Sequence, residues 1–176
     1  YLNKSNNKKL YLISSSWIAI DKLSNEIIIN ELNLNHKKIK EIIENFLPTI
    51  SHSTVIFSKE IFNLVGGYRE RLETSQDIDL WLRFLDFGFI ECIKKPLVKV
   101  RIHDDQITKN QRRKQLINSS IAFVSHILRK KQLPDPIDQY SEEYFDNFRN
   151  FIIKNLTEDY FILNSIIEDI KKYLNE

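Results

Sequence analysis

The chain holds 176 residues, 42% of them hydrophobic and 28% charged, which excludes a disordered segment and fits one globular domain with an appendage. Its 26 Lys and Arg stand against 24 Asp and Glu, a net charge of +2, too weak a field for a dedicated nucleic-acid binder. Cys92 is the one cysteine, so no intrachain disulfide or cysteine zinc cluster can form, and a cytoplasmic, reducing compartment is expected. Apolar runs such as Ile27-Ile28-Ile29 fall far short of the about 20 residues that cross a bilayer. The chain opens on Tyr1 and contains no methionine; it reads as an excised or truncated piece.

Leu10-Tyr11-Leu12-Ile13 leads into a strand at Trp17–Ile20. Asp21–Asn25 follow as a turn and Glu26–Asn30 as a second strand, which makes a hairpin. From His36 to Phe46 the apolar Ile39, Ile42, Ile43 and Phe46 recur at three and four residues, predicting an amphipathic helix stopped by Pro48. Ser53–Phe57 reads as a compact strand, and Ser58 as the cap of a short helix through Val65 that ends on Gly66-Gly67.

Gln76–Phe87 reads as a helix burying Ile78, Trp81, Leu82 and Leu85, with Thr74 or Ser75 as cap and Gly88 as terminator. Strands are predicted at Phe89–Ile93 and Leu97–Ile102, separated by Lys94-Lys95-Pro96. Alternation of strands and helices up to this point implies an α/β arrangement, a mixed sheet covered by helices. Beyond the polar junction at 108–114 only helical spacing remains, with helices predicted at Gln111–Lys131, Ser141–Lys154 and Glu158–Leu174.

All three glycines lie between residues 66 and 88. Close approach of backbone to a ligand is one reason for such crowding, and a plain helix cap and tight turn is the other. Asp77 and Asp79 stand in the first turn of the Gln76–Phe87 helix and point in different directions, so they are not a paired-carboxylate dyad. The positive helix end stabilises the charged form of either. An ionised carboxylate there serves as ordinary capping or as a general base for a hydroxyl within reach. His103 closes a strand ahead of Asp104-Asp105, a grouping that lacks the spacing of a zinc site. His36 and His126 fit packing or surface roles; His52 stands out because it precedes a compact apolar run. The basic groups Arg112-Arg113-Lys114 and Arg129-Lys130-Lys131 read as solvated helix faces ahead of anionic-lipid contacts. Tyr140, Tyr144, Phe145, Phe148 and Phe151 fall on helical spacing as core.

Three separated segments carry more than any of these residues alone: His52-Ser-Thr-Val-Ile-Phe-Ser-Lys-Glu-Ile-Phe-Asn-Leu-Val-Gly-Gly-Tyr68, Ser75-Gln-Asp-Ile-Asp-Leu-Trp-Leu-Arg83 and Pro96-Leu-Val-Lys-Val-Arg-Ile-His103. In order and spacing they resemble the acceptor-side half of family 2 glycosyltransferases of the GT-A fold. The resemblance implies that residues 1–108 form a partial GT-A-like mixed sheet with flanking helices; residues 109–176 fall outside it and read from their spacing as an all-α helical extension. It implies an inverting transfer of a sugar from a nucleotide-sugar donor to a hydroxyl on a glycan or lipid-linked acceptor, in bacterial surface glycan synthesis.

By the same resemblance Asp77 is the general base, and Gly66, Gly67 and Tyr68 form a loop beside donor and acceptor. Gln76, Asp79 and Arg83 complete the substrate-binding set, Arg83 as an orienting or structural residue. His103 is implied as a ligand to a Mg²⁺ or Mn²⁺ ion on the donor diphosphate. Gln76 stands where the family usually has glutamate, and the family's nucleotide-binding strands and Asp-x-Asp motif, which precede such a segment, are not in the sequence. That metal is therefore expected only with the missing motif, and the fragment alone is expected to be inactive. Two other readings compete. In one, the piece is a non-catalytic module whose residues 109–176 oligomerise or dock peripherally at the inner membrane face. In the other, ranked lower, Asp77, Asp79 and His103 serve a metal-dependent hydrolase.

Overall fold

A computed structural model describes residues 9–45, 50–103 and 111–156. The predicted helix at 158–174, Phe46 and Asp104-Asp105 lie outside the described residues. The chain divides into two compact units, one built from residues up to Tyr68 together with Leu80–Arg112, the other from Arg69–Asp79 together with the residues from Arg113 on. The change of periodicity predicts a division near 109; residues 69–79 group with those from Arg113 on.

The first unit is organised by one long strand, β1 (Leu10–Ile20), which pairs with every other strand described. β2 (Glu26–Asn30) lies antiparallel to its second half, Ile18 opposite Ile29. β3 (Ile56–Phe57) lies antiparallel to its first half, Leu12 opposite Phe57. β4 (Phe89–Arg101) runs parallel along nearly its whole length, Ile13 opposite Glu91 and Ala19 opposite Val100. The sheet is thus mixed, as the alternation predicts.

The expected hairpin forms because Asp21 builds the turn. Its Oδ1 accepts the Leu23 and Asn25 N–H groups, both at 2.8 Å, and its Oδ2 accepts Asn25 Nδ2 at 2.9 Å. Helix α1 (His36–Glu44) is capped by Asn35, whose side chain accepts the Lys38 N–H at 3.0 Å, and it buries Ile39 and Ile43.

Two strand predictions are corrected. Ser53–Phe57 is a 3₁₀ turn at His52–Thr54 followed by the two-residue β3. The hydroxyls there serve their own neighbourhood, Thr54 Oγ1 donating to the Ser51 carbonyl at 2.8 Å, which favours a turn over a ladder. The two strands foreseen on either side of Lys94-Lys95-Pro96 are a single strand. Its register slips where Ser15 faces Ile93 and Ser16 faces Pro96, so the proline is absorbed in an irregularity of the ladder rather than ending it.

Helix α2 (Lys59–Leu64) begins after Ser58, whose side chain makes no cap bond, contrary to expectation. Helix α3 (Gln76–Leu85) ends two residues earlier than predicted. It buries Trp81, Leu82 and Leu85 as foreseen, together with Leu80 and Phe84, while Ile78 is only half-buried. Leu12, Ile39, Ile61, Leu80, Leu82, Phe84 and Ile90 are the sealed core of the first unit.

The second unit holds α4 (Arg112–Lys130, of which Arg112 falls in the first unit), α5 (Pro136–Gln139) and α6 (Glu142–Asn155). Asp135 caps the unforeseen α5 by accepting the Ile137 N–H at 3.0 Å, with Pro136 at the first helical position. Ser141 caps α6. Ile121, Ala122, Val124, Phe145 and Ile152 are among the sealed apolar residues of the second unit. Of the aromatic series, Phe145 is core while Tyr144 is 67% exposed. Among the described residues, no helix is long and apolar enough to cross a membrane.

Candidate functional site

The candidate residues fall into both units and are taken unit by unit. In the first, Gly66 and Gly67 adopt φ of +82° and +71°, the left-handed region that only glycine enters without strain. The turn closes α2 through Gly67 N–H to the Phe62 carbonyl at 2.9 Å and Gly66 N–H to Asn63 at 3.2 Å. Arg83 holds it from the other side. Its guanidinium donates to the Val65 carbonyl at 2.6 Å and to the Gly67 carbonyl at 2.7 Å, and the residue is only 5% exposed. Arg83 therefore braces the glycine loop through these two carbonyl oxygens.

Tyr68 leaves this turn 38% exposed, and its hydroxyl lies 2.9 Å from His52 Nε2. His52, Tyr68 and Phe62 stand edge-on in an aromatic group continued by Phe57, Trp81 and Phe84, with neighbouring rings 5.4–6.0 Å apart. Trp81 is buried core, as expected. His52 is thus bonded to a candidate substrate-binding residue, and its position ahead of an apolar run was the one sequence signal that pointed to it.

The third glycine acts differently. At Gly88 a Cβ would lie 2.4 Å from Tyr11 Cδ2 and 2.5 Å from the Lys9 carbonyl oxygen. It ends α3 because the chain passes hard against β1, and not because it takes a positive φ.

His103 is exposed just beyond β4. Among the described residues no group of three or more His, Cys, Asp or Glu side chains could hold a metal ion. These residues do not by themselves fit a divalent-metal centre.

In the second unit the two aspartates of the α3 first turn part company. Asp77 is half-buried, its Oδ1 accepting the Ile78 N–H at 2.9 Å. Asp79 is fully buried. Both of its oxygens face Arg69, Nε reaching Oδ2 at 3.0 Å and Nη2 bonding Oδ1. Gln76 is half-buried beside them. The same Arg69 donates through Nη1 to Asp135 at 2.7 Å and to Asp138 at 2.9 Å, and Arg129 donates to Asp135 at 2.6 Å. Arg129 is therefore drawn into this group and is not part of a solvated face. Burial alone would lower the Arg69 pKa, and the bond and charge of Asp79, with the charge of Asp135, outweigh it and push it well above the ordinary value. Burial would likewise raise the Asp135 carboxyl, but Arg69 and Arg129 hold it below the usual carboxylate range. Nothing in periodicity announces this cluster, since Asp135 and Asp138 lie 66 and 69 residues from Arg69 in sequence.

No family model matches the sequence. Over 110 residues, 61% of the chain, it is 29% identical to an uncharacterized glycosyltransferase of Rickettsia typhi. An uncharacterized glycosyltransferase of Rickettsia prowazekii aligns with the same identity and coverage. The chain spans 34% of the length of each of these curated relatives.

Proposed function

We propose that this chain is the acceptor-side part of an inverting, family 2, GT-A glycosyltransferase, with Asp77 as its general base. The observation that carries the reading is the divergence of the two aspartates. Asp79 is sealed and engaged by Arg69, whereas Asp77 is half-buried and holds only the neighbouring Ile78 N–H among the described residues. A carboxylate with an oxygen to spare can accept a proton from a hydroxyl within hydrogen-bond reach. The names of the two rickettsial relatives support the same class of reaction.

In the proposed reaction the acceptor hydroxyl gives its proton to Asp77 as its oxygen attacks the anomeric carbon of a nucleotide sugar. The new C–O bond forms from the face opposite the diphosphate, which leaves with the electron pair of the broken C–O bond. Bacterial surface glycan is the product class that the reading implies.

The test is Asp77→Asn in the whole protein. Transfer is followed from a panel of tritiated UDP-, GDP- and dTDP-hexoses to cell-envelope extracts. Loss of about 10²- to 10⁴-fold in turnover with an unchanged circular dichroism spectrum is expected; near-normal turnover removes Asp77 from the role.

A further inference from the structure

The segment that leads into the α3 first turn is fastened, residue after residue, to the later helices. Lys114 Nζ bonds the Glu73 carboxylate. The buried Asn118 donates through Nδ2 to Thr74 Oγ1 at 3.0 Å, and Ser75 Oγ donates to the Gln115 carbonyl at 3.0 Å. Asn118 is 1% exposed and Thr74 7%, so this is a sealed contact and not a surface bond.

Ser75 has φ of +60°, a conformation that costs a residue with a side chain and persists only where its surroundings over-determine it. Here α4 supplies that constraint, one residue before the helix begins. At the other end of the segment Arg69 grips Asp79 inside the same first turn, and is itself gripped by Asp135 at the start of α5. Between these two anchors stands Asp77.

We propose that α4 and the start of α5 are a positioning clamp for the first turn of α3, with Asn118 acting through Thr74-Ser75 and Asp135 acting through Arg69 and Asp79. This rests on the reading of Asp77 as the base. The consequence is that the helical extension is part of the catalytic apparatus. A base must meet its hydroxyl within hydrogen-bond reach, and a displacement of about 1 Å costs about 10²-fold in rate. Asn118 and Asp135 are positioning residues, since each acts through the segment 69–79.

The experiment uses the whole protein with Asn118→Leu, which keeps volume and removes the bond, and Asp135→Asn, which keeps shape and removes the charge. Ile152→Ala, a core deletion in α6, whose bonds to the segment fall on Arg71 and not on Thr74, Ser75 or Asp79, is the comparison. Amide hydrogen exchange at residues 76–80 is expected to quicken at least tenfold in the two clamp variants and to stay near wild type in Ile152→Ala. In the transfer assay above, the clamp variants are expected to lose at least tenfold in kcat with donor KM within twofold, and Asp135→Glu to recover part of the loss. Unchanged exchange at 76–80 overturns the proposal. So does a loss that Ile152→Ala reproduces at equal thermal stability, because the role is then only structural. If Asp77→Asn keeps its turnover while the clamp variants still release 76–80, the base assignment fails and the clamp on the helix start stands.

Discussion

Replacing Arg69 by methionine tests the buried charge group most sharply. The residue is 8% exposed and its partner Asp79 is 0% exposed, so the substitution leaves a carboxylate sealed from water without the guanidinium that faces both its oxygens. Asp135 keeps Arg129 at 2.6 Å, so the penalty concentrates on Asp79. Breaking a buried ion pair from one side costs about 3–5 kcal/mol, against a total stability of about 5–15 kcal/mol for a domain. With a urea dependence of about 2 kcal/mol per molar, the midpoint falls by about 1.5–2.5 M. Far-UV ellipticity is the appropriate probe because α4 and α6 dominate the helical signal of this unit. Adding Asp79→Leu to Arg69→Met removes the buried carboxylate and is expected to recover at least half of the loss, since an apolar replacement of a buried pair is often neutral. A single substitution costing under about 1 kcal/mol, or a double variant no better than the single one, refutes the reasoning that desolvation of Asp79 dominates.

Three further outcomes are expected. Gly88→Ala forces a Cβ to within 2.5 Å of a backbone oxygen and is expected to cost about 2–3 kcal/mol. Gly66→Ala meets no atom within 4 Å at φ +82° and pays only the strain of about 1–2 kcal/mol; urea midpoints in the reverse order count against this reading of the two glycines. The depressed Asp135 pKa makes stability rise with pH, because the unfolded chain binds the proton more readily. Its contribution is complete above the ordinary carboxylate pKa of 3.8 and is lost as pH falls through the lower folded value. Asp135→Asn is therefore expected to flatten the acid limb of a stability–pH profile, and an unchanged limb assigns the acid sensitivity elsewhere.

Local chemistry carried the legible part of the fold. Asp21 announces the hairpin turn, Asn35 and Ser141 stand at helix starts, and the apolar spacing of Ile39 and Ile43 or of Trp81 and Leu85 sets the buried faces. What sequence spacing misjudged was decided by neighbours distant in the chain. The ladder with β1 carries β4 past Pro96, which local rules read as a break. Gly88 is required by Tyr11 and Lys9 rather than by its own backbone angle. The candidate site divides in the same way: the glycine turn is visible as a dipeptide, whereas the grip of Arg83 on it depends on side chains closing over 16 and 18 residues. Asp77 and Asp79 are alike in sequence, and only the burial of Arg69 separates them.

The placement of β1 has a consequence for the order in which this molecule can be assembled. The strand is complete at Ile20, yet its longest partner begins only at Phe89. A chain emerging from the ribosome can close the hairpin with β2 at once, but it must hold the other border of β1 open until all the intervening residues have been made. Parallel pairing across so long a separation is slow, and an open border of unpaired N–H and C=O groups is an invitation to wrong partners. The sheet's central strand is thus also its most exposed intermediate, and conditions that slow synthesis between these two strands should raise aggregation without altering the finished protein.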